Sequence, residues 1–76
     1  MKERIIEIIK SVNEDLVTDM DMDLLASGKL DSFDIISIIT EIEDTFDVEV
    51  DMEQIKADNF RTANIMADFF ERVIEG

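Results

Sequence analysis

Residues 28–50 read GKLDSFDIISIITEIEDTFDVEV. Within this stretch Ile35, Ile38, Ile39, Ile42 and Phe46 recur at the spacing of one face of a helix. That stripe predicts an amphipathic helix with a core-facing side. Asp31 suits its N-cap, and Asp34 adds an acid to its first turn. The helix is expected to end near residues 46–47. Val48 and Val50 then alternate with acids. A single strand has no partner in such a chain, so this segment is predicted as an extended connection.

Outward from that helix, the apolar period returns twice. Ile5, Ile8, Ile9 and Val12 mark a helix over residues 2–13. Met66, Phe69, Phe70 and Val73 mark a last helix over residues 63–75, with Thr62 as its N-cap. Asp51 followed three residues later by Gln54 resembles a capping box and predicts a short helix over residues 52–57. Residues 14–31 show no sustained period, with Leu16, Val17, Leu24 and Leu25 as anchors. A connection that long is either functional or contains a short helical turn. Gly28 allows it to bend sharply before the second helix. The expectation is an all-α fold, a small four-helix bundle of three longer helices and one short one, forming a single domain over residues 1–76.

Composition narrows the function. A chain of 76 residues buries only roughly 60% of the surface its unfolded form exposes. It is still 46% hydrophobic, too apolar for a disordered acidic tail. The chain has no Cys and no His, which removes disulfides, thiolate chemistry and the commonest general base and metal ligand. Its net charge of −13 argues against nucleic acid and anionic lipid as partners, and favours proteins with basic surfaces. The charge is concentrated: residues 30–55 hold nine of the twenty acids and none of the seven bases, so that segment carries −9 and the rest −4. No apolar run approaches a membrane span, and the charged start MKERIIEIIK is unlike a signal peptide. A cytoplasmic monomer without membrane insertion is expected.

Three features of the residues point toward sites. Ser32, at the predicted helix start, is either a capping residue or an attachment point for an anionic group, since helix N-termini present free amides. Without His it cannot belong to a Ser-His-Asp triad. Asp19, Asp21 and Asp23 have the spacing that opens an EF-hand loop, but Leu24 and Leu30 stand where its Gly and bidentate Glu belong. The stretch is therefore read as a solvated acidic loop, with no metal centre. Phe33 and Ile36 fall off the core stripe, on the side away from Ile35, Ile39 and Phe46. Either a neighbouring loop covers them, or they form an apolar docking patch rimmed by Glu41, Asp44 and Asp47.

In this frame the stretch 28–50 resembles the acyl carrier protein family, four-helix carriers of 4′-phosphopantetheine. The family's Asp-Ser-Leu motif corresponds to Asp31-Ser32-Phe33. Its Glu-Glu-x-Phe helix ending corresponds to Glu43-Asp44-Thr45-Phe46, and its acidic link to Asp47-Val48-Glu49-Val50. Length, acidity and helix order match over nearly the whole chain. The resemblance implies that a phosphopantetheinyl transferase modifies Ser32, with Asp31 contributing to recognition. It further implies that an acyl, aminoacyl or peptidyl group is then carried as a thioester, and that the chain itself catalyses nothing. Phe33, Ile36, Glu41, Asp44 and Asp47 are the expected face for the transferase, a loading ligase and downstream synthases with basic docking surfaces. The fatty-acid-synthesis pattern places Glu five and Met eight residues after the serine; here Ser37 and Thr40 stand there. Phe33 replaces the usual Leu, and Lys29-Leu30 the usual Gly-Ala. The sequence LDSF resembles stand-alone D-alanyl and peptidyl carriers at least as well. A rival reading is an unmodified acidic adaptor that docks basic proteins through the second helix.

Overall fold

Side-chain caps at Asp31 and Thr62 set where two of the three α-helices begin. The computed structural model describes residues 1–76 and contains α1 (Lys2–Val12), α2 (Ser32–Phe46) and α3 (Ala63–Glu75), joined through 3-10 turns at Glu14–Val17, Met52–Gln54 and Ala57–Asn59. It contains no strand. Asp31 is extended, and its carboxylate accepts the Asp34 amide at 2.9 Å, which satisfies one of the donors a helix start leaves free. Thr62 does the same for the Ile65 amide at 3.0 Å. The Asn13 side chain beyond the end of α1 donates to the Asp34 carboxylate at 3.2 Å, tying α1 to the first turn of α2.

The three helices and their connections close around one core. Ile5 and Ile9 of α1, Ile38 and Ile42 of α2, and Met66, Phe69 and Phe70 of α3 are buried together with Leu16 and Leu24 from the long connection. Phe60 completes it, packing edge-on to Phe69 and Phe70 with ring centroids 5.6 and 5.9 Å away. Such pairs contribute about 0.5–1.5 kcal/mol each beyond their burial. No helix is long and apolar enough to cross a membrane.

The α2 stripe is broader than the surface it buries. Ile38 and Ile42 are fully buried, but Ile35, Ile39 and Phe46 are only partly so. The arc through Ile38 and Ile42 meets the core, while the flank carrying Ile35 and Ile39 opens beside residues 52–55. Phe46, at the end of the stripe, lies under the Arg4 guanidinium at 4.8 Å.

The short helix expected over residues 52–57 is instead two 3-10 turns. Asp51 does not cap Gln54; its carboxylate takes the Glu53 amide at 2.9 Å, a turn geometry two residues on. Ile55 (φ −82°, ψ 82°) and extended Lys56 then interrupt any helical run. The Asn59 side chain closes the segment by donating to the Gln54 carbonyl at 2.6 Å.

Helix α2 stops at Asp47, whose φ of 54° and ψ of 50° are left-handed. Its amide returns to the Glu43 carbonyl. Glycine is the usual occupant of this position, since a Cβ costs energy there. Asp47→Gly is therefore expected to raise stability by about 0.5–1 kcal/mol, read as an upward shift of the urea midpoint. A fall would show that the Asp47 side chain supports the fold.

The long connection is stapled to the start of α3. The Leu24 amide donates to the Arg61 carbonyl at 2.7 Å, and the Asn64 amide to the Met20 carbonyl at 3.1 Å. Gly28, at φ +73°, makes the bend before α2. The three carboxylates with EF-hand spacing are engaged by the chain itself. Asp19 accepts the Asp21 amide, Asp21 accepts the Asn64 side chain at 2.7 Å, and Asp23 accepts the Leu25 and Ala26 amides and pairs with Arg61 at 3.3 Å. The Ala26 amide, with Arg61 and the Leu25 amide adding to it, holds Asp23 below its ordinary value of 3.8. A carboxylate with a lowered folded value contributes stability that is present above the ordinary value and lost as pH falls through the folded one. Asp23→Asn should thus be less stable than the parent at pH 7. The gap in urea midpoint should close progressively as pH falls below 3.8.

Candidate functional site

Ser32 is the first residue of α2 and is exposed. Because the Asp31 carboxylate carries the cap at 2.9 Å, Ser32 Oγ is not needed for it. The amides of Ser32 and Phe33 precede the first intrahelical bond. The serine thus offers a hydroxyl on a fixed backbone, with solvent in front of it.

One side of Ser32 opens into a groove of about 370 Å³. Ser32, Ile35, Ile36, Ile39 and Thr40 of α2 form one wall; Met52 and Ile55 form the other. The Thr40 hydroxyl already donates to the Ile36 carbonyl at 2.9 Å, so the lining is almost wholly apolar. Across Ile36 lies a second, more polar hollow lined by Ser11, Val12, Ser37, Thr40 and Glu41. Ile36 is the ridge between the two. Sequence reasoning put Ile36 on the side away from Ile35 and Ile39; the three share the groove beside Ser32, because residues three apart on a helix are neighbours and the flank of the stripe is not covered.

Phe33 is 79% and Ile36 61% exposed, so no neighbouring loop wraps them. Glu41, Asp44 and Asp47 are exposed as well. At 3.6 residues per turn these five positions fall within an arc of about 140° on α2 and its cap. The apolar pair and the acids thus share one accessible side of α2, and Ser32 lies about 40° beyond Ile36 at its edge. Two contributors were not singled out from sequence. Met52, 79% exposed, belongs to a segment whose relation to α2 is set by the fold. Glu43 entered the sequence reading only as part of the helix-ending motif, with no site role, yet it is half-buried, and its carboxylate accepts the Val50 amide at 2.9 Å.

The sequence model of the phosphopantetheine attachment site family matches residues 3–70. The chain belongs to this family of phosphopantetheine-dependent carrier proteins. Among its relatives, the D-alanyl carrier protein of Lactococcus lactis subsp. lactis (strain IL1403) is 38% identical over 69 residues, covering 88% of this chain and 87% of the relative. The D-alanyl carrier protein of Streptococcus sanguinis (strain SK36) is 35% identical over 77 aligned positions, covering 100% of this chain and 89% of the relative. The local structure fits the prosthetic group: a serine free of capping duty, on a helix start, at the rim of an apolar groove.

Proposed function

We propose that this carrier protein is modified on Ser32 and presents a small aminoacyl group, D-alanyl being the first choice, to partner enzymes. The observation that carries the assignment is the division of labour at the start of α2: Asp31 caps the helix and leaves Ser32 Oγ free and exposed. The names of the relatives support the cargo. In the modification, Ser32 Oγ forms a new bond to the phosphorus of coenzyme A's pantetheine phosphate, its proton goes to a base on the transferase, and 3′,5′-ADP leaves. Once attached, the group supplies a thiol on which the cargo rides as a thioester, which a chain without Cys cannot provide.

The chain's own residues hold and display. Asp31 fixes the helix start for the transferase, while Phe33 and Ile36 supply the apolar centre of the docking face. Glu41, Asp44 and Asp47 supply a rim that attracts basic enzymes, chiefly the transferase, a loading ligase and downstream acceptor enzymes. Segment 52–59 takes the part of the fourth helix in the bundle. We place the protein in the cytoplasm, as a monomer whose residues 1–76 act as one non-catalytic carrier domain.

The test is intact mass after incubation with coenzyme A and a phosphopantetheinyl transferase, then with ATP and adenylating ligases for D-alanine, for L-amino acids and for fatty acids. One phosphopantetheine addition followed by a D-alanyl addition is expected. Loading by the fatty-acid ligase alone would overturn the cargo. No phosphopantetheine addition to the wild type would leave the acidic-adaptor reading in its place.

A further inference from the structure

We infer that Glu43 is a positioning residue: its bond to the Val50 amide fixes the Asp51–Ile55 turn as the second wall of the groove beside Ser32, so that Met52 and Ile36 together grip an apolar side chain of a partner enzyme. The inference rests on the reading of Ser32 as the attachment site and goes beyond it, since it adds a second, discontinuous half to the docking face.

The turn has little to hold it. Met52, Glu53 and Gln54 are all exposed. Their hydrogen bonds stay within residues 51–59, from the Gln54 amide to the Asp51 carbonyl, the Ile55 amide to the Met52 carbonyl, the Glu53 amide to the Asp51 carboxylate, and the Lys56 amide and Asn59 side chain to the Gln54 carbonyl, so none of them reaches α2. What ties the turn to α2 is at its two ends. Ile55 is partly buried in the groove wall, and Val50, 6% exposed, has its amide held by Glu43 at 2.9 Å. Glu43 lies on the groove side of α2, one turn beyond Ile39, so the acceptor grows from the wall that the turn must face. Removing it leaves a half-buried amide without a partner and frees the turn to move away from α2.

The chemistry of the occupant follows from the surroundings. Ile36 and Met52 are two of the most exposed large apolar residues of the chain and stand on opposite walls. Methionine is flexible and adapts to varied apolar shapes, which suits a surface that must accept several enzymes in turn. Asp51 and Glu53, the chain neighbours of Met52, and Asp44 and Asp47, at the end of α2, are all exposed, and no base lies between residues 30 and 55. The matching partner presents a Leu-, Met- or Phe-like side chain flanked by Lys or Arg.

The experiment measures steady-state transfer of phosphopantetheine from coenzyme A to the full chain, with the chain as varied substrate, for wild type, Met52→Ala, Glu43→Ala and Glu43→Gln. Hydrogen exchange at the Val50 amide is followed in the same variants. Met52→Ala should raise KM about 5–30-fold, with kcat within about twofold. Glu43→Ala should raise KM about 3–10-fold, again with little change in kcat, and should deprotect Val50. Glu43→Gln keeps an acceptor oxygen and should restore most of the KM and of the protection. Wild-type KM in Met52→Ala, or a Glu43→Gln variant as impaired as Glu43→Ala, overturns the inference. So does an unchanged KM together with a change at the Met52 methyl on conversion of apo to loaded chain, which would make the arm the occupant. A wild type that takes up no phosphopantetheine would instead strike the reading of Ser32.

Discussion

Ser32→Ala should abolish phosphopantetheine uptake altogether, with no adduct in the intact mass after an incubation that converts the parent completely. The substitution removes the one oxygen that accepts phosphorus and little else. The Asp31 cap and the Asn13–Asp34 bond remain, so α2 keeps its start. As an exposed change away from the core, it should alter stability by no more than about 0.5 kcal/mol. Asp31→Ala is the informative companion. It keeps the hydroxyl but loses the cap, and should cost about 1 kcal/mol of stability. An adduct on Ser32→Ala would move the attachment point to another residue.

Ile38→Ala and Ile36→Ala, two positions apart on one helix, should fail in different ways. Ile38 is fully buried in the core, and its truncation should cost about 2–5 kcal/mol of folding free energy. Ile36 is 61% exposed, and its truncation should leave the urea midpoint nearly unchanged. Its cost should appear in partner binding, at about 1–2 kcal/mol, because apolar residues at the centre of a small interface carry most of the affinity. The rim acids should behave differently again. Reversing Glu41 and Asp44 to Lys should slow association at low salt, and the deficit should shrink as screening increases. If Ile36→Ala destabilises the fold as much as Ile38→Ala, the docking face is drawn on the wrong side of α2.

The parts of the fold legible in the sequence are those set by local chemistry. The starts of α2 and α3 follow from Asp31 and Thr62, whose carboxylate and hydroxyl meet amides three residues on. Helical period puts Phe33 and Ile36 off the core stripe but leaves open whether a loop covers them, and the structure leaves both exposed. Segment 52–59 was not legible, because Asp51 has two amides within reach and only the tertiary setting of Val50 and Ile55 decides for Glu53. Phe60 carries no periodic signal, since it enters the core from a turn and finds Phe69 and Phe70 from outside their helix. The groove was hidden for a related reason. Ile35 and Ile39 look like core from spacing, and nothing local tells how far the opposite wall stands away. Glu43 was hidden because its acceptor role depends on Val50, seven residues on, across a left-handed corner at Asp47.

Helix α2 buries completely only two of its fifteen residues, Ile38 and Ile42, while both its ends are fixed by bonds that involve none of Phe33, Ser37, Thr40, Glu41 and Asp44. Such a helix is held like a printed strip clamped at its edges. Its outward lettering can be rewritten while the clamp and the two pins stay in place. Substitutions that redirect the carrier from one enzyme to another therefore have a short and continuous route, because most single steps along it leave a folded protein with an unaltered Ser32. A lineage can accumulate new partner preferences there under selection on binding alone, and a laboratory library confined to Phe33, Ser37, Thr40, Glu41 and Asp44 should return folded members at high frequency.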